Sequence, residues 1–115
     1  MRGNRKGIAV PDAELFAAAV ETIRSWGGRP GHFLAVVTGQ THGARLRRDV
    51  WGQFDAQLDA FFHALDTAGY FRDGWLLVTG DHRQPVPVTE AEQHRDDGAA
   101  AAARVPFLAL GPEFP

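Results

Sequence analysis

No cysteine occurs in this chain of 115 residues. That absence excludes a disulfide framework, a thiolate nucleophile and cysteine-ligated zinc; it leaves the redox compartment open, because exported enzymes also do without cysteine. Long apolar runs are lacking too, and none approaches the roughly 20 residues that a membrane-crossing helix needs. The opening Met1-Arg2-Gly3-Asn4-Arg5-Lys6 is basic but has no hydrophobic region behind it, so the sequence reads as soluble and without an export signal. A strong charge of one sign is also missing. With a formal net charge of -2 and a pI near 6.2, no global basic field supports binding to nucleic acid. There is no internal repeat and no linker composition, and Gly27-Gly28 and Gly39 read as turn glycines without a phosphate-loop pattern around them.

What is present is an ordinary globular composition, 44% hydrophobic and 23% charged, of a length that fits one small domain with a modest core. Pro11 with Asp12 and Glu14 suits a first helical turn, and Leu15, Phe16, Ala19, Val20 and Ile23 recur at helical spacing until Gly27-Gly28, which predicts a helix over about 12–26. His32 to Thr38 is a continuous apolar run with β-branched residues, as in a strand covered on both faces. Val50, Trp51, Phe54, Leu58, Phe61, Phe62 and Leu65 mark a second amphipathic helix over about 50–67, closed by Ala68-Gly69. A strand at 75–79, an irregular proline-containing stretch from Gln84 to Gly98, a short helix at 99–103 and a strand at 105–110 complete the order. Such alternation predicts an α/β layer of mostly parallel strands joined by right-handed crossovers. Trp26, Trp51 and Trp75 are read as packing residues.

The chemistry concentrates where the strand at 75–79 ends in Gly80-Asp81-His82-Arg83. Ligands of open α/β sheets bind beyond the carboxyl ends of strands, and a carboxylate beside a neutral imidazole suits a divalent cation such as zinc or manganese. Taken as a dipeptide, Asp81-His82 is equally well read as an aspartate capping the next turn beside a surface histidine.

Gly80-Asp81-His82-Arg83 behind its apolar strand, preceded by Phe54-Asp55-Ala56-Gln57-Leu58-Asp59-Ala60-Phe61-Phe62 and Ala68-Gly69-Tyr70-Phe71, resembles the C-terminal half of the lipoteichoic acid synthase-like phosphoglycerol transferases. These belong to the sulfatase branch of the alkaline phosphatase superfamily. The resemblance extends to Gly7–Phe16, to Phe33–Gly43 with its Thr-x-x-x-His-Gly ending, and to Arg104–Pro112, so it covers nearly the whole chain in the right order. It implies a partial sulfatase-like layer, with residues 1–115 forming a single C-terminal segment of a larger catalytic domain. It also implies that Asp81 and His82 bind the catalytic divalent cation, commonly manganese in the synthases, with zinc, magnesium or calcium as further candidates. His42 would contact the phosphate of a phospholipid headgroup or another phosphate or sulfate ester, and Arg83 would approach the same anion. The parent enzyme would sit at the cell membrane with its catalytic domain outside the cytoplasm, attached through its N-terminal part.

The family's threonine nucleophile and its earlier acidic ligands have no counterpart in this chain. Ser25, the single serine, lies near a helix end outside any Cys/Ser-x-Pro-x-Arg context, and Thr41 matches a neighbour of the substrate histidine. Asp59 stands where the family often has glycine. Two protein ligands are fewer than catalytic metal sites usually use, so the chain alone is expected to be inactive. The alternatives are a non-catalytic module binding an anionic ligand or partner protein, and a non-functional fragment.

Other groupings are weaker. Asp55, Asp59 and His63 fall at successive i, i+4 spacings and form either a ligand stripe or a solvated face. Arg45, Arg47 and Arg48 follow His42 closely and either attract an anionic headgroup or are loop charges. Arg83 has Asp73, Asp96 and Asp97 as alternative partners, and His94-Arg95 lies in the irregular stretch without a clear motif.

Overall fold

The computed structural model describes residues 10–83, 86–95 and 103–113. The chain divides into two units, Met1–Gly69 and Tyr70–Pro115, each taken by itself below.

The N-terminal unit is a pair of helices. Helix α1 spans Asp12–Ser25 and helix α2 spans Arg48–Thr67. The Pro11 carbonyl accepts the amides of Glu14 and Leu15, and the proline's fixed φ sets the first turn. The α1 stripe buries Phe16, Ala19 and Val20, and α2 buries Phe61 and Leu65. Phe16 stacks on Phe61 with ring centroids 4.8 Å apart and lies tilted 6.3 Å from Phe54. Beyond α1 the chain turns through Gly27 and Gly28, whose φ angles of +59° and +72° suit a residue without a Cβ. Trp26 stacks on His32 across this turn, with centroids 4.8 Å apart.

The C-terminal unit holds a short 3-10 turn at Tyr70–Arg72, strand β1 at Leu76–Thr79, helix α3 at Glu90–Arg95 and strand β2 at Phe107–Leu110. The strands pair antiparallel, Leu76 opposite Leu110 and Thr79 opposite Phe107. The Tyr70 hydroxyl donates to the Trp75 carbonyl at 2.6 Å, and the Thr79 hydroxyl to the Pro106 carbonyl at 3.0 Å. Two glycines make room for rings: a Cβ on Gly74 would lie 2.6 Å from the Tyr70 ring, and one on Gly111 would lie 2.4 Å from the Trp75 indole.

This architecture corrects the expected α/β layer. Among the described residues the chain is mostly helical, and its one sheet has two antiparallel strands. The strand expected at 105–110 is present over Phe107–Leu110 but runs opposite to β1; an antiparallel partner needs no long crossover, and α3, between β1 and β2, has only six residues. The run at 32–38 enters no sheet, and Phe33 and Val37 are 90% and 85% exposed. Apolar runs of this length identify extended chain without saying what pairs with it. Of the short helix expected at 99–103, residues 99–102 lie outside the described residues. No described helix is long and apolar enough to cross a membrane.

Candidate functional site

Asp81 and His82 follow directly on β1, and both are exposed. Each has one side-chain atom tied to the backbone. Asp81 Oδ1 accepts the His82 amide at 2.9 Å, and His82 Nδ1 lies 2.8 Å from the Arg83 carbonyl, an acceptor only, so Nδ1 carries the proton and donates it there. That tautomer leaves the Nε2 lone pair available. Nε2 stands 3.6 Å from Asp81 Oδ2. Two ligands of one ion can sit that far apart, since metal bonds to nitrogen or oxygen are about 2.0–2.2 Å each. The pair therefore fits a divalent cation as half of a coordination shell. No group of three or more metal-ligating side chains occurs among the described residues.

Arg83 is placed differently from the expected anion contact. Its guanidinium forks onto Glu92, Nη1 to Oε1 at 2.7 Å and Nη2 to Oε2 at 3.2 Å, with both side chains about four-fifths buried. Glu92 is none of the acids considered for it from sequence. Glu92 also closes a capping box at the start of α3: its Oε2 accepts the Thr89 amide at 2.8 Å, and its own amide donates to Thr89 Oγ1 at 3.2 Å. The Thr-x-x-Glu spacing at 89–92 was the sequence signal for this helix start.

The Arg83 guanidinium, followed by the Thr89 hydrogen bonds, holds the Glu92 carboxyl down at about 2, against an ordinary 4.5. A carboxyl depressed in the folded chain stabilises it fully above its unfolded value and loses that contribution as pH falls through the folded one. The melting temperature is therefore expected to fall as pH drops from about 4.5 toward 2, and Glu92→Gln is expected to flatten the fall. Thermal melts of both proteins across that range check this; equal slopes would count against it.

His42 belongs to the N-terminal unit, exposed on the loop between Gly39 and α2. Three successive turns shape this loop: the His42 amide donates to the Gly39 carbonyl, Ala44 to Thr41 and Arg47 to Ala44, all within 3.1 Å, and Ala44 is buried. Arg45 has a positive φ of 50°, and its carbonyl accepts the Trp51 indole N–H at 2.7 Å. Arg47 pairs with Asp49 at 2.9 Å, and that hydrogen bond holds the exposed Asp49 carboxyl below its usual range. Arg48 is the first residue of α2. His42, Arg45, Arg47 and Arg48 thus share one stretch beside the helix start, where the dipole also favours an anion.

A residue missed from sequence stands behind this loop. Asp12 has no exposed surface, and its carboxylate accepts the amides of Gly39 at 2.9 Å and Gln40 at 3.1 Å. No local spacing announces it, because the partners lie 27 and 28 residues on.

The remaining groups stay modest. In the stripe Asp55, Asp59 and His63, only Asp59 and His63 pair, at 3.6 Å and well exposed. His94 approaches Glu90 along α3 at 3.6 Å, also exposed.

No protein family, curated protein or solved structure matches this chain.

Proposed function

We propose that this chain contributes part of the site of a metal-dependent phosphoglycerol transferase or of a related phosphoester or sulfoester hydrolase. Asp81 and His82 would hold a divalent cation, manganese first and zinc, magnesium or calcium next, and His42 would contact the phosphate or sulfate group. The observation that carries this reading is the pair Asp81 Oδ2 and His82 Nε2, 3.6 Å apart, each ligand braced by a backbone hydrogen bond on its other atom.

A bound divalent cation supplies Lewis acidity, polarising a phosphoryl oxygen and favouring an attacking alkoxide. The chain's own residues orient and neutralise. The Arg83 carbonyl holds the His82 ring in one tautomer, and His42, in the N-terminal unit, would contribute an anion contact of its own. The nucleophile and the remaining ligands would come from further polypeptide, which would also carry the membrane attachment of the parent enzyme, whose catalytic domain faces outward. Arg83 is committed to Glu92, so its part is to hold α3 rather than to bind the anion first.

Calorimetric titration of manganese and of zinc into the chain tests the half-site. Binding is expected, weakened about tenfold or more by Asp81→Ala and by His82→Ala. No binding, or binding indifferent to both substitutions, would overturn cation ligation. Glycerol phosphate binding that depends on His42 without any cation binding would favour the non-catalytic anion-binding module.

A further inference from the structure

The loop that presents His42 is fastened by a side chain from the start of the other helix of its unit. Asp12 is the first residue of α1, yet its carboxylate does not cap its own helix. It reaches the turn instead, Oδ1 to the Gly39 amide and Oδ2 to the Gln40 amide, and Gln40 returns the contact with its Oε1 accepting the Asp12 amide at 3.1 Å. The three bonds form a reciprocal clamp. A buried carboxylate is retained where its hydrogen bonds replace water, and the backbone amides of Gly39 and Gln40 do that here. On the far side of the clamp the His42 amide closes onto Gly39, so the clamped peptide is the one that sets the imidazole's starting point. In the apolar chain leading into the turn, Phe33 and Val37 are exposed.

We propose that Asp12 is the positioning residue of the His42 loop: its carboxylate fixes the Gly39-Gln40 peptide so that the imidazole is presented to a phosphate-type anion in one geometry. The assignment rests on the reading of His42 as an anion contact. It makes Gln40 the second half of the device, through the bond it returns to α1.

Nuclear magnetic resonance on the full chain tests both parts separately. In the wild-type protein the Gly39 and Gln40 amides are expected to exchange slowly with solvent, like amides inside α2. Asp12→Asn, which keeps the shape but turns one acceptor into a donor, is expected to speed their exchange about tenfold. It is also expected to shift the His42 ring resonances and to weaken their response to glycerol phosphate about tenfold, while the amides around Leu65 keep their rates. Gln40→Ala, which spares the carboxylate, is expected to act in the same direction but less. Loop amides and His42 signals unchanged in both variants would overturn the assignment, as would losses that run in parallel with exchange throughout α2, which mark a merely structural acid. If Asp12→Asn fails to fold, Gln40→Ala decides by the same signals. A wild-type His42 that ignores glycerol phosphate would refute the anion reading, whereas the exchange rates and ring shifts would still decide the clamp.

Discussion

Leu65→Ala is expected to lower the unfolding free energy of the N-terminal unit by about 2–5 kcal/mol, the range for deleting a fully buried leucine side chain without collapse of the surrounding space. Leu65 has no exposed surface, and the other buried apolar residues among those described are Phe16, Ala19, Val20, Ala44 and Phe61. Two of these are alanines, so a few large side chains supply most of the apolar burial. A small domain begins with total stability near the low end of about 5–15 kcal/mol, and the substitution would take much or all of it. Urea titration followed by circular dichroism measures the effect as a lower midpoint at unchanged slope. A midpoint equal to that of the wild type would show that the α1–α2 face does not carry the unit.

The second large effect is concentration-dependent association of the chain. Phe33 and Val37 are almost wholly exposed on a stretch that joins no sheet among the described residues, and in the C-terminal unit Leu77 and Phe107 are 60% and 68% exposed. Leu77 and Phe107 lie on the same face of the two-stranded sheet, because Leu77 opposes Ala109 while Thr79 opposes Phe107. Exposed apolar side chains on a stretch outside any described sheet, and a ribbon with two unpaired edges among the described residues, favour association and further strand pairing. Sedimentation velocity is expected to show growing mass between about 1 µM and 1 mM. The double substitution Phe33→Lys and Val37→Lys is expected to suppress much of it, by placing charge on that stretch. A wild-type chain that stays monomeric over the whole range would contradict this.

Helices α1 and α2 were legible because their signals are local, whereas α3 formed inside the stretch expected to be irregular. Apolar recurrence every three to four residues from Leu15 to Ile23 and from Val50 to Leu65 needs no knowledge of the partner, and the glycines after each run mark the ends. Strand direction was not legible. Trp75 to Thr79 announces extended chain, but whether 105–110 returns parallel or antiparallel depends on the path between them. The run at 32–38 carries the same apolar signal and joins no sheet among the described residues, so periodicity alone could not separate it from a sheet core. Asp81 and His82 were legible as neighbours in sequence, whereas the backbone bonds that orient their side chains were not. Asp12 was legible as an acid suited to a helix start, but its service to a turn 27 residues away was beyond any local pattern.

One consequence of the hydrogen bond between His82 Nδ1 and the Arg83 carbonyl concerns entropy. Holding a rotamer-rich side chain still on association costs about 0.5–1.5 kcal/mol. In this chain the imidazole is already tethered to the peptide after it, so that loss of freedom falls largely on folding and little of it on capture of a ligand. In the proposed cation site, where Asp81 and His82 are the side chains that converge among the described residues, such preorganisation would lower the cost of capture.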